Sequence, residues 1–135
     1  SRLVARAHER GIRVAPLVGP SSILLGLMGS GLNGQSFAFH GYLPVAEAER
    51  DTRLRQLEDE SRRLGRTQLF IETPYRNERL FDALLRHCQP ATRLCIACDL
   101  TGANEYVLTS RIADWRRAER PQIAKRPALF LLLAG

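Results

Sequence analysis

The sequence has few of the residues that redox and metal sites require. Its three cysteines, at positions 88, 95 and 98, are an odd number and give no disulfide framework. Cys95 and Cys98 have the spacing of a metal-binding pair, but we predict a strand there, in which residues three apart point to opposite faces. The three histidines are scattered along the chain. The sequence therefore predicts no metal site and free thiols, which fit a reducing cytoplasm.

Long apolar runs are also absent. None reaches the roughly 18 residues that a membrane helix needs, and the run at 128–134 is far too short. No signal peptide is recognisable, although the chain begins without Met. A hydrophobic content of 44% and a charged content of 25% are typical of a globular protein. We expect a cytoplasmic protein with no membrane partner.

The net charge of +6 makes an anionic partner such as RNA plausible. The helix predicted at 47–64 is nearly neutral, so the excess lies elsewhere. Trp115 stands in the basic segment near the end, where it either stacks on a base or anchors the core. That segment either binds phosphates or is a solvated surface, and it contains Arg111, Arg116, Arg117, Arg120, Lys125 and Arg126.

Helical and strand-like patterns alternate along the whole chain, which indicates an α/β fold with an open sheet and helices on both faces. We predict helices at 1–10, 21–28, 47–64, 78–87 and 112–117. We predict strands at 12–18, 37–42, 68–72, 93–99, 106–109 and 128–133. Because the first helix has no strand ahead of it, we expect the chain to be a fragment of a longer protein.

A strand-turn-helix junction stands early in the chain, and the later elements are organised around it. Residues 12–18 read as a buried strand, Gly19-Pro20 ends it, and Ser21 or Ser22 can cap the next helix. The free backbone N–H groups of such a helix start can hold a ligand. An ordinary connection between strand and helix explains the same pattern.

Polar side chains come after two other strands, where open α/β sheets bind ligands. Glu72 could accept a hydrogen bond from a ribose or an amino group, and Arg76 could bind a carboxylate or phosphate. A helix cap with a local Arg–Glu pair explains them equally well. Asp99-Leu100-Thr101 forms the second junction. His40, on the strand at 37–42, is either a base or a structural histidine.

Four motifs occur in the order found in the tetrapyrrole methylase superfamily, and the sequence most resembles its branch of ribosomal RNA small-subunit methyltransferases I. They are Gly19-Pro20-Ser21-Ser22, Phe-Ala-Phe-His-Gly-Tyr-Leu-Pro at 37–44, Leu-Phe-Ile-Glu-Thr-Pro-Tyr-Arg at 69–76, and Asp99-Leu100-Thr101. The resemblance implies a two-domain protein with S-adenosylmethionine in the cleft between the domains. Residues 1–19 then end the first domain and form the interdomain turn, and residues 20–135 form the second domain.

The same resemblance shows what this sequence lacks. The family's glycine-rich Gly-x-Gly-Pro-Gly segment and its Gly-Asp-Pro turn would precede Ser1. The ribosomal branch usually has Glu-Ser-Pro-His-Arg where this chain has Glu72-Thr73-Pro74-Tyr75-Arg76, and Leu-Thr-Lys where it has Leu100-Thr101-Gly102. These departures concern the methyl acceptor more than the cofactor.

Residue by residue, the resemblance implies a cofactor site and a substrate site. Tyr75 and Arg76 would face the substrate. Backbone groups of Ala128 and Leu129 would meet the adenine, since main-chain groups can recognise it whatever the side chain. The cofactor-binding residues would be Ser21, Ser22, Glu72, Leu100, Thr101, Ala128 and Leu129.

The reaction implied is methyl transfer from S-adenosylmethionine, favoured on a ribose 2′-hydroxyl of small-subunit ribosomal RNA. In-line positioning supplies most of such catalysis, while a hydroxyl acceptor benefits from a base, for which Glu72 and His40 are the candidates. A tetrapyrrole or another small molecule is the alternative acceptor, and a non-catalytic ligand-binding or dimerisation module is the alternative function. The resemblance also implies a homodimer, and we expect the isolated fragment to be inactive.

Overall fold

The computed structural model describes residues 2–17, 19 and 21–135. It contains five helices and five strands, which alternate except at α1–α2 and β3–β4, with a 3-10 turn at Pro74–Arg76. The helices are α1 Arg2–Glu9, α2 Ser22–Ser30, α3 Glu47–Leu64, α4 Asn77–His87 and α5 Ile112–Trp115. The strands are β1 Phe37–Tyr42, β2 Thr67–Ile71, β3 Arg93–Cys98, β4 Tyr106–Arg111 and β5 Ala128–Leu133.

The five strands form one open mixed sheet in the order β1-β2-β5-β3-β4. Strands β1 and β2 are parallel, and the other three pairs are antiparallel. The last strand, β5, therefore lies in the middle of the sheet. This arrangement confirms the predicted α/β class and open sheet.

Helices cover both faces of the sheet, as the alternating pattern predicted. On one face α2 packs over β3, β4 and β5. On the other, α3, α4 and α5 enclose a larger core, in which the Phe70 and Phe130 rings stack with centroids 6.0 Å apart. Cys98 belongs to this larger core and Cys95 to the core under α2. The prediction that these two cysteines point to opposite faces is therefore confirmed.

Trp115 is an anchor of the larger core. Its side chain is only 3% exposed, and its indole N–H donates to the Leu94 carbonyl over 2.9 Å. The Phe81 ring meets it edge-on at 5.7 Å. A buried indole has no free face, so Trp115 offers no surface on which an RNA base could stack.

The helix boundaries depend on local chemistry. Helix α3 ends at Gly65, whose φ of +62° closes the last turn, and α1 ends near Gly11 at +66°. The predicted strand at 12–18 is wrong for residues 12–17, which are irregular and mostly exposed. No described strand lies beside them, so a run rich in β-branched residues has no ladder to join. Val18, the last residue of that predicted strand, and Pro20, predicted to end it together with Gly19, lie outside the described residues.

None of the helices in the described ranges is long and apolar enough to cross a bilayer.

Candidate functional site

A cleft of about 590 Å³ opens where β1, β2 and β3 end. Because β5 runs antiparallel to β2 and β3, its first residues lie at the same edge of the sheet. Helix α2 supplies the remaining wall. The lining residues are Ser22, Ile23, Phe39, Tyr42, Ile71, Glu72, Pro74, Ala97, Asp99, Leu100, Thr101, Gly102, Pro127, Ala128 and Leu129.

The walls of the cleft are apolar and its charged groups are acidic. Glu72 is 6% exposed, and its Oε1 accepts hydrogen bonds from the Thr73 backbone N–H at 2.7 Å and from the Thr73 hydroxyl at 3.3 Å. Asp99 is the second carboxylate. Among the described residues that line the cleft, none is lysine or arginine.

The loop after β3 has an unusual backbone. Asp99 and Thr101 are in the left-handed region, with φ of +49° and +66°, which only glycine adopts without cost. Gly102 N–H donates to the Asp99 carbonyl at 2.8 Å, and Thr101 N–H donates to Glu105 Oε1 at 3.0 Å. Strain of this kind concentrates at ligand sites and persists only where the surroundings hold it.

Arg126 holds that loop in place. Its Nε donates to Asp99 Oδ2 at 2.7 Å, and its terminal nitrogens donate to the carbonyls of Gln122 and Asn104. The hydrogen bond to Asp99 raises the pKa of Arg126, so its guanidinium stays protonated. One guanidinium thus joins the loop after β3 to the loop before β5, and both loops line the cleft.

Helix α2 comes very close to the sheet at Gly26. A Cβ placed there would lie 2.5 Å from Leu129 Cδ2, so any larger residue at this position would have to displace the Leu129 side chain. Ser21 is the N-cap residue of α2 with extended backbone, but its side chain makes no cap hydrogen bond. The hydroxyl of Ser22 lies at the start of the helix beside the cleft.

Most of the predicted cofactor residues meet at this cleft. Ser21 lies next to it without lining it. Tyr75 and Arg76 come directly after Pro74 at the rim, where the Arg76 guanidinium stands 4.9 Å over the exposed Tyr75 ring. The six predicted residues that do line it are Ser22, Glu72, Leu100, Thr101, Ala128 and Leu129.

His40, the second candidate base, does not line the cleft. Its Nε2 lies 2.8 Å from Gln68 Oε1, and Arg53 from α3 approaches its Nδ1 at 3.3 Å. Both ring nitrogens of His40 therefore have partners within the fold. The geometry favours Glu72 over His40 as the group that meets a ligand.

Half of the basic segment near the end has structural partners. Arg116 donates to the carbonyls of Leu85 and Cys88 at the end of α4. Arg120 pairs with Asp82 at 2.7 Å, and Arg126 pairs with Asp99, which lines the cleft. These guanidiniums have partners within the fold, and of the six basic residues of this segment only Arg111, Arg117 and Lys125 have no side-chain hydrogen bond or ion pair in the described part of the chain.

The cysteines are unreactive by environment. Burial raises the pKa of the Cys98 thiol to about 11, and burial also raises the pKa values of Cys88 and Cys95. No group of three or more potential metal ligands occurs in residues 2–17, 19 and 21–135.

Sequence reasoning missed the apolar and aromatic part of the lining. Phe39 and Tyr42 line the cleft from β1, and Ile23 lines it from α2. The alternating pattern at 37–42 indicates on which face of the strand Phe39 lies, but not which residues lie next to it in the fold. The role of Arg126 was also missed, since its partners lie more than twenty residues away in the chain, apart from Gln122.

The known proteins with similar sequences are methyltransferases by name. No protein-family model matches the chain. It is 35% identical over 111 residues to a ribosomal RNA small subunit methyltransferase I of Mesorhizobium japonicum, covering 82% of this chain and 36% of that protein. It is 38% identical over 136 residues to the protein of that name from Pseudomonas aeruginosa, covering 98% and 46%. The chain thus spans less than half the length of these curated relatives.

Two solved structures share the fold. The methyltransferase CobJ matches with a TM-score of 0.58 and 16% identity, covering 98% of this chain and 56% of that one. The cobalamin biosynthetic enzyme CbiF, a cobalt precorrin-4 methyltransferase, matches with a TM-score of 0.57 and 13% identity over 98% and 56%. At these identities the likeness concerns the fold alone.

Proposed function

We propose that this chain belongs to the tetrapyrrole methylase superfamily and forms the C-terminal part of an S-adenosylmethionine-dependent methyltransferase. Residues 20–135 make up the second domain in this proposal, and residues 1–19 are the end of the first domain with the interdomain turn. The buried residues that the structure describes all lie at position 26 or beyond, which supports that boundary.

The observation that carries the proposal is the chemistry of the cleft. The phosphates of a nucleotide cofactor are commonly held by cations together with a helix N-terminus; the start of α2 lies at this cleft, but the described lining holds no lysine or arginine. S-adenosylmethionine has no phosphate, and its sulfonium and ammonium groups are cationic. Apolar walls with the carboxylate of Glu72 suit such a ligand, whereas the Asp99 carboxylate already has Arg126 as its partner.

The backbone of β5 supplies the right groups for an adenine. Ala128 is opposite Cys98, and the neighbouring Asp99 N–H donates to the Pro127 carbonyl. Polar groups of successive residues in an antiparallel ladder point to opposite sides, so those of Ala128 point towards β2. The β2–β5 pairing ends at Ile71 and Leu129, which leaves the Ala128 groups available beside Glu72. Leu129 contributes its side chain to the apolar wall of the cleft.

The methyl acceptor that we propose is small-subunit ribosomal RNA, at a ribose 2′-hydroxyl. The names of the relatives at 35% and 38% identity and the net charge of +6 support RNA. Glu72 is the candidate base, since it faces the cleft and His40 does not. We propose a cytoplasmic homodimer. A tetrapyrrole acceptor is the alternative that the shared fold of CobJ and CbiF favours.

Calorimetric titration with S-adenosylhomocysteine tests the cofactor site. The full-length protein should bind in the micromolar range, and residues 1–135 alone should bind no tighter than about millimolar, a loss of about 4 kcal/mol. Glu72→Gln should weaken binding in the full-length protein, whereas Glu49→Gln, on the exposed part of α3, should not. Absence of binding to the full-length protein would contradict the proposal and favour the non-catalytic module.

Transfer of a labelled methyl group tests the acceptor. The full-length protein should label small ribosomal subunits or their RNA and should not label a tetrapyrrole. Alkaline hydrolysis then identifies the position, because a 2′-O-methylated nucleotide resists cleavage and yields a labelled dinucleotide. Label released as a mononucleotide would place the methyl group on a base instead.

A further inference from the structure

We propose that Phe39 and Tyr42 form a stacking platform for one nucleobase of the RNA acceptor at the mouth of the cleft. The inference rests on the proposed function and adds the part of the acceptor that the chain contacts. Both rings line the cleft, yet 43% of Phe39 and 66% of Tyr42 remain exposed. Rings held at a site with so much free surface are available to a flat partner.

The backbone of β1 aims these two rings at the same place. Residues three apart in a regular strand point to opposite faces, which would send Tyr42 away from Phe39. The pairing of β1 with β2 shifts register between these residues, and Gly41 has a φ of +67°. This irregularity turns Tyr42 into the cleft beside Phe39. Bulges of this kind are frequent at sheet edges and next to active sites, where they re-aim a side chain.

The charges around the platform favour a neutral base with its phosphate outside the cleft. The described lining has no lysine or arginine, whereas Arg76 comes two residues after Pro74, which lines the cleft, in the same 3-10 turn. A base can therefore lie on Phe39 and Tyr42 while the phosphate beside it meets Arg76. A macrocycle with several carboxylates would find no cation in the described lining of the cleft.

The test measures how much of the RNA affinity depends on contact between these two side chains and a base. The probes are two short single-stranded RNAs of oligouridine with one central 2-aminopurine or, in the matched RNA, one abasic nucleotide. The full-length protein should bind the 2-aminopurine RNA about 5- to 150-fold more tightly than the abasic one, with quenched fluorescence. Phe39→Ala and Tyr42→Ala should each reduce that ratio towards one, and Tyr42→Phe should keep it.

Phe37→Ala is the matched control. Phe37 lies on the same strand, is 40% exposed and does not line the cleft, so its replacement should leave the ratio unchanged. An equal ratio in the wild type and in Phe39→Ala, with affinity for S-adenosylhomocysteine intact, would overturn the platform and leave the cofactor proposal standing. Loss of cofactor binding in the wild type would instead remove the proposed function.

Thermal unfolding separates the platform from a purely structural role. If Phe39 and Tyr42 are covered by another part of the protein, their alanine variants will unfold at a temperature several degrees lower. They will also bind both RNAs more weakly, by the same factor. That result would overturn the inference. Unchanged unfolding midpoints together with a collapsed ratio would support it.

Discussion

Replacing Arg126 by methionine should loosen the cleft more than the loss of a single ion pair suggests. The guanidinium donates to one carboxylate and two carbonyls, and it joins two loops that both line the cleft. Methionine keeps the apolar stem but offers no donor. We expect the loop after β3 to leave the conformation that places Leu100 and Thr101 in the lining.

The expected magnitude is worked from the contacts. A hydrogen bond to a charged group contributes about 1.5–3 kcal/mol, and the Arg126–Asp99 pair, with about a quarter of each side chain exposed, belongs at the lower end. Loss of the two bonds to carbonyls adds to this, while release of the strained Asp99 and Thr101 backbones offsets roughly 1 kcal/mol each. We expect a loss of about 1–3 kcal/mol in unfolding free energy and at least about tenfold in cofactor affinity.

The chain offers a matched control in Arg120. Its guanidinium also lies 2.7 Å from a carboxylate, that of Asp82, but both side chains are about half exposed and lie away from the cleft. Arg120→Met should cost less than about 1 kcal/mol and leave cofactor affinity unchanged. Urea unfolding and calorimetric titration with S-adenosylhomocysteine measure both quantities. Equal effects of the two replacements, or unchanged affinity in Arg126→Met, would refute the reasoning.

Three further predictions concern other parts of the fold. Glu58→Ala should lower the unfolding free energy by about 2–4 kcal/mol in urea titration, because its buried carboxylate accepts from the Thr92 hydroxyl at 2.7 Å and from a backbone N–H; an effect below about 1 kcal/mol would contradict this role. Gly26→Ala should weaken cofactor binding by calorimetry, since the added methyl displaces the Leu129 side chain that lines the cleft, and unchanged affinity would mean that the side chain moves without consequence. Iodoacetamide at mildly alkaline pH should label Cys98 only after unfolding, because burial raises its pKa to about 11; rapid labelling of the native protein, read by mass spectrometry, would show an accessible thiolate.

Local patterns were enough to predict most of the elements. The strands Phe37–Tyr42 and Ala128–Leu133 and the helix Glu47–Leu64 have the predicted bounds. Their alternation, apolar runs and terminal glycines are signals contained in a few neighbouring residues. The family resemblance, not a local pattern, implied that Glu72 and Thr101 belong to one site, and both line the cleft.

Long-range partners were beyond those patterns. The apolar run that begins at residue 12 looks like a strand in the sequence. In the described structure no strand lies beside it, and no neighbouring residue in the sequence indicates this. Arg116 and Arg126 look alike in the sequence, but one caps a helix end and the other joins two loops of the cleft. Which group an arginine meets depends on the folded chain, so the sequence could not show that Arg116, Arg120 and Arg126 have partners within the fold. Tyr42 was missed because a bulge reverses its direction.

The central position of β5 has a consequence for how this fold forms during translation. A ribosome makes β2 and β3 long before β5. In the finished sheet β2 and β3 are not adjacent, because β5 lies between them and is hydrogen-bonded to both. Until residues 128–133 leave the exit tunnel, the nascent chain holds two half-sheets whose inner edges are open. Non-local pairing of this kind is slow and exposes strands that can join other chains. The cleft, which needs β5 for its floor, is therefore among the last features of this fold to be completed.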